Sequence, residues 1–143
     1  MSQTGIAAFD STLQTTNVWL NEILDRMGWI DRHRAYHALR AVLHALRDRL
    51  SVDQAAALGA QLPMLVRGFY YEGWTPQDKP LKFNHDEFLL AVASYFREPG
   101  VNPMQVTRAV VETMGEHIDP GELAKLVRVL PRDFADLVEL PAA

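Results

Sequence analysis

The chain contains no cysteine. That excludes a disulfide framework, a thiolate zinc site and a cysteine nucleophile, and it fits a reducing compartment. No segment approaches roughly 18 uninterrupted apolar residues, the length that a membrane-crossing helix requires. The start, Met1-Ser2-Gln3-Thr4-Gly5-Ile6, has no basic stretch leading into an apolar one. Neither secretion nor a membrane partner is expected, and a cytoplasmic location is. Positive charge is also short, because Lys and Arg number 14 against 18 Asp and Glu. The imbalance lies from Gly73 onward, and a mildly acidic chain without a global basic stripe is not expected to bind nucleic acid. Several signatures of catalysis are missing: a Gly-x-Ser-x-Gly elbow, a glycine-rich phosphate loop, a dinucleotide-binding glycine pattern and a calcium loop. No enzymatic activity and no cofactor are expected.

The 143 residues instead carry an internal similarity. At an offset of 68, Arg40-Ala41-Val42 meets Arg108-Ala109-Val110, and Leu62-Pro63 meets Leu130-Pro131. Apolar character agrees at further pairs, among them Leu20 with Phe88, Leu24 with Val92 and Leu46 with Met114. A repeat near this length marks duplicated helical units. The pattern predicts an all-α fold: two tandem copies, each of roughly four helices, packed as a pseudosymmetric bundle. The first copy spans 11–72, a linker 73–83 and the second copy 84–140, with both copies in one globular body.

Local signals place the helices. Leu13, Thr16, Leu20, Ile23, Leu24 and Met27 recur at helical spacing, and Gly28 supplies a left-handed stop. Asp31 caps a second helix with the stripe Ala35, Ala38, Leu39, Val42, Leu46 and Leu50. Ser51 to Gln54 has the form of a capping box, and Pro63 breaks the chain before a fourth helix near Met64 to Glu72. In the second copy, Asn84 with Glu87 forms a cap, and Phe83 is placed to staple Phe88. Pro99-Gly100 is expected to end that helix, while Asn102-Pro103 and Asp119-Pro120 open the next two.

The stretches Ala38 to Leu43, Leu46 to Leu50, Gln61-Leu62-Pro63 and Arg67-Gly68-Phe69-Tyr70-Tyr71-Glu72-Gly73-Trp74 resemble the prokaryotic family known as domain of unknown function 2267. The resemblance covers about Thr15 to Leu140, and the second copy departs from it after Pro131, where no aromatic run follows. It implies a helical bacterial protein, usually cytoplasmic, and it brings no catalytic residues.

Three constellations are candidates for function. His33, His37 and His44 fall within about 40° of one another on the second helix, beside Arg40 and Arg47. His33 and His37 at i, i+4 have the spacing of two zinc ligands, although a third must come from elsewhere. The ordinary reading of this face is a solvated one, and the local arginines Arg32, Arg34, Arg40, Arg47 and Arg49 also suit a phosphate. Because Arg40 recurs as Arg108, that pair suits a salt bridge or a carbonyl contact. The aromatic run offers a second site. Phe69 and Tyr70 align with Leu137 and Val138 and read as core, Tyr71 aligns with Glu139 and reads as outward-facing, and Tyr71, Trp74 and Phe83 form the candidate partner or ligand groove. Third, Glu112, Glu116 and His117 can be drawn as an acid-base group but read more simply as a solvated helix end. The expected function is a non-enzymatic interaction module that binds an unknown protein partner or itself. The alternative is a small-ligand or metal-binding protein using a cavity between the copies.

Overall fold

The computed structural model describes residues 2–138. Among the described residues the fold is all-helical, without strands. The elements are α1 (Ala7–Met27), α2 (Arg32–Arg49), α3 (Val52–Ala60), α4 (Met64–Tyr71), α5 (His85–Ala93), α6 (Pro103–His117), α7 (Pro120–Val129), a 3-10 turn (Arg132–Phe134) and α8 (Ala135–Val138).

The local capping chemistry forms as the residue types dictate. Gly28 takes φ 69° and its N–H reaches the Leu24 carbonyl. Asp31 accepts from the His33 N–H. Both capping boxes close reciprocally, Ser51 with Gln54 and Asn84 with Glu87. Each such cap is worth about 1 kcal/mol because it satisfies helix-end N–H groups that have no partner within the helix. Asn102 and Asp119 cap α6 and α7, each followed by a proline at the first helical position. Phe83 lies against Phe88 with ring centroids 6.1 Å apart, so the staple forms.

Two boundaries differ from the sequence pattern. Helix α1 starts at Ala7, ahead of the first periodic residue Leu13. The Asp10 carboxylate accepts from the Thr4 N–H at 2.9 Å and from the Ser2 and Thr4 hydroxyls, folding the preceding residues back onto the first turn. Helix α5 ends at Ala93, well before Pro99-Gly100. Beyond it, Tyr95 and Phe96 donate their N–H groups to Val92 and Ala93 in tighter i to i−3 turns. The tightened turns rotate the two rings inward, Tyr95 to His44 and Phe96 to Trp29.

Helix α2 is central and packs against α1, α3, α4, α5 and α6. The interior around it holds Trp19 and Ile23 from α1, Leu39, Leu43 and Leu46 from α2, Tyr70 from α4, Phe88 from α5 and Met114 from α6. Phe134 and Leu137 close it from the C-terminal side, with Phe134 edge-on to Phe88 at 5.2 Å. Rings of this size bury the largest apolar areas per residue and dominate such cores.

Candidate functional site

The segment Arg67 to Trp74 gathers six large polar or aromatic side chains, and most of them have a partner. Arg67 donates to the carbonyls of Gly59 and Leu62 at 2.8 Å, satisfying the C-terminal end of α3. The Phe69 carbonyl lies 2.7 Å from His44 Nε2, and the buried Tyr70 hydroxyl donates to the Ala55 carbonyl at 2.7 Å. Glu72 pairs with Arg40 at 3.6 Å, and Gly73 takes φ 74°, where a side chain would be strained. A Cβ at Gly68 would meet nothing within 4 Å, and the buried Trp74 Nε1 has no hydrogen-bond partner among the described residues.

The three residues proposed from sequence as a groove are all half-buried against the core. Tyr71 and Trp74 meet edge to face at 5.7 Å, whereas Phe83 turns toward Phe88. Tyr71 does not project outward: it lies across α3, and a Cβ at Gly59 would run into its hydroxyl and ring. Gly59→Ala therefore sets a gain in helix propensity of about 1 kcal/mol against displacement of that ring. In a urea-denaturation double-mutant cycle, Gly59→Ala should be more favourable by about 1 kcal/mol or more in the Tyr71→Ala background than in the wild type. Additivity of the two changes would show that the ring is free to move.

The histidine face of α2 divides in two. His33 and His37 are exposed near its start, and the His37 ring lies beside Tyr36. Among the described residues no group of three His, Asp or Glu side chains stands close enough to hold a metal ion. His44 and Arg47 correct the expectation of a solvated face, since each is only 4% exposed. The polar side of α2 is covered over its second half by α4 and by Tyr95.

There the Arg47 guanidinium donates at 2.8 Å to the carbonyls of Tyr70 and Glu72, and it also pairs with Asp48 at 2.9 Å. His44 Nε2 donates to the Phe69 carbonyl, so Nδ1 accepts from the Tyr95 hydroxyl at 2.7 Å. Burial, reinforced by Arg47 and Arg40, holds His44 below its ordinary pKa, and the ring is neutral at neutral pH.

The other arginines are engaged as well. Arg32 donates to Asn17 and Asn21, Arg34 lies over the Trp29 ring at 4.4 Å, and Arg49 reaches the Phe83 carbonyl at 3.1 Å. Arg108 contacts the Asp136 carbonyl at 2.7 Å, the kind of structural role expected for it and for Arg40.

Glu112 and Glu116 do not form a free acid pair. Both converge on Arg26 of α1, at 3.2 and 3.6 Å, while His117 bonds Glu22 at 2.9 Å and stacks on Trp19 at 5.2 Å. This group bridges α1 and α6, which places it in tertiary structure rather than on a merely solvated helix end.

Sequence reasoning missed two concave surfaces, because each is made by residues that no local motif links. One is a groove of about 880 Å³ between α1 and α4, with Phe9, Leu13, Tyr36, Met64 and Leu65 along it. Phe9 and Met64 are each 46% exposed and Leu65 is 39% exposed. The other is a smaller cleft between α3 and α7, floored by Leu58, Ile118 and Leu123.

Among the described residues, then, the polar clusters serve mainly to tie helices together, and the two recesses, between α1 and α4 and between α3 and α7, are mainly apolar. This defines a helical bundle with apolar recesses, in which no described helix is long and apolar enough to cross a membrane. The chain belongs to the family described as uncharacterized conserved protein (DUF2267), whose match runs over residues 16–137. Among curated proteins, none matches it.

Proposed function

We propose that this protein is a non-enzymatic interaction module of the prokaryotic cytoplasm, and that its α1/α4 groove receives the apolar face of a helix from a partner protein. The observation that carries this reading is Gly68 in the groove wall. A Cβ there would meet nothing within 4 Å, so the glycine is required neither by packing nor by a left-handed backbone. It leaves the α4 backbone open to close approach, flanked by the adaptable side chain of Met64 and by Leu65. Amphipathic helices dock into grooves of this kind through residues spaced i, i+3 and i+4. The groove also draws on Thr4, Phe9 and Thr12, which precede the family-matched stretch.

We also propose that the chain arose by duplication, with copies 11–72 and 84–140. Supporting this, α2 and α6 end 68 residues apart, α3 and α7 begin 68 apart, and so do α4 and the 3-10 turn.

Gly68→Arg separates docking from folding. Stability should hold or rise by up to about 1 kcal/mol, since the position gains helix propensity and a Cβ there meets nothing within 4 Å. A photo-cross-linking residue at position 65 should capture a discrete partner in cells, and Gly68→Arg should abolish that adduct. The control carries the same probe at Leu90, which is 70% exposed on α5. An adduct of twice the monomer mass would identify the partner as a second copy. No adduct above the Leu90 background, or one indifferent to Gly68→Arg, removes the groove as a docking site.

A further inference from the structure

The cleft between α3 and α7 has a different character from the groove. It encloses about 230 Å³. Leu58, Ile118, Leu123, Leu126 and Val129 give it apolar walls, and the small Ala57 leaves its mouth open. An apolar cavity of about 150 Å³ is enough to admit benzene, so this space suits one ring with a short chain and is too small for a helix. Its rim carries two carboxylates, Asp53 and Glu122, against one ammonium, Lys125. Lys125 is already turned to Glu122 at 3.4 Å. Asp53 makes no ion pair among the described residues, and it sits in the first turn of α3. The charge left over at the mouth is therefore negative.

We propose that the α3/α7 cleft binds a compact apolar amine, with its hydrocarbon body on Leu58, Ile118 and Leu126 and its ammonium group at Asp53. The apolar floor supplies the affinity by removing hydrocarbon from water, and the rim sets the preferred sign of charge.

The test is titration of the full-length ¹⁵N-labelled protein with 2-phenylethylammonium, followed by NMR, with 3-phenylpropionate as the anionic counterpart. The expected result is saturable shifts confined to α3 and α7, with the anion binding about three- to fivefold more weakly, the range that an exposed ion pair supports. Asp53→Lys should reverse that order. Ala57→Phe, at an exposed position where the fold tolerates the change, should fill the mouth and weaken binding by roughly tenfold or more. Absence of saturable shifts, equal or tighter binding of the anion, or indifference to Ala57→Phe would each overturn the proposal.

Discussion

Arg47→Leu should lower stability by about 3–5 kcal/mol, the range for removing one partner of a buried charged group. The urea midpoint should fall while the slope of the transition is unchanged. Arg47 is 4% exposed, and its guanidinium is shared between two main-chain carbonyls and a carboxylate. Leucine fills much of the volume but leaves the Tyr70 and Glu72 carbonyls without that donor, and Asp48 loses its cation. Hydrogen bonds from a charged donor contribute about 1.5–3 kcal/mol each, so the loss exceeds that of an ordinary surface arginine. Arg47→Lys should recover only part of it, because a single ammonium cannot reproduce the planar fork that reaches both carbonyls and the carboxylate together. A loss below about 1 kcal/mol for Arg47→Leu would place the side chain among solvated residues and contradict the packing of α4 on α2.

The second large effect is at His44. His44→Leu strands the Phe69 carbonyl and the Tyr95 hydroxyl and should cost about 2–3 kcal/mol at neutral pH. It should also change the response to acid. The folded-state pKa of His44 is lowered, first by burial, with Arg47 and Arg40 adding to it. Its contribution is therefore full above the ordinary value of 6.5 and is lost progressively as pH falls below it, because the unfolded chain takes up the proton more readily.

His85 has the opposite sign. Its hydrogen bonds to Asp86 and Asp136 raise its pKa, so its contribution is full below 6.5 and fades as pH rises through the raised value. Denaturation measured between about pH 5 and 8 should show wild-type stability falling more steeply on the acid side than that of His44→Leu. Parallel curves would mean that His44 titrates alike in both states.

What was legible in the sequence was chemistry closed within about four residues. Ser51 finds Gln54 and Asn84 finds Glu87 because the geometry of a first helical turn brings them together wherever the helix lies. What was not legible depended on remote neighbours. His44 meets a carbonyl and a hydroxyl 25 and 51 residues away, and periodicity alone assigned it to the polar face of an amphipathic helix. Helical angle fixes which way a side chain leaves its own helix, not whether another element covers it.

The outward orientation expected for Tyr71 was missed in a related way. Phe69, Tyr70 and Tyr71 were placed by their alignment partners in the second half, yet Tyr71 is positioned by the missing side chain of Gly59 on a different helix. The two recesses gave no local signal either. Their walls come from segments separated by some fifty residues or more, and residues such as Ala57 and Gly68 matter there for what they lack.

The central position of α2 has a further consequence. By chain order it belongs to the first half, but α5 and α6 of the second half pack directly on it. The intervening segment is fastened at the same place: the Leu81 N–H donates to the Asp48 carbonyl at 2.8 Å, and Arg49 holds the Phe83 carbonyl. A protease cut between Trp74 and Lys79 would thus leave two fragments gripping a shared axle, with no hinge about which to separate. In the present chain, cutting α5 and α6 away would therefore uncover faces of α2 that nothing in the first half replaces.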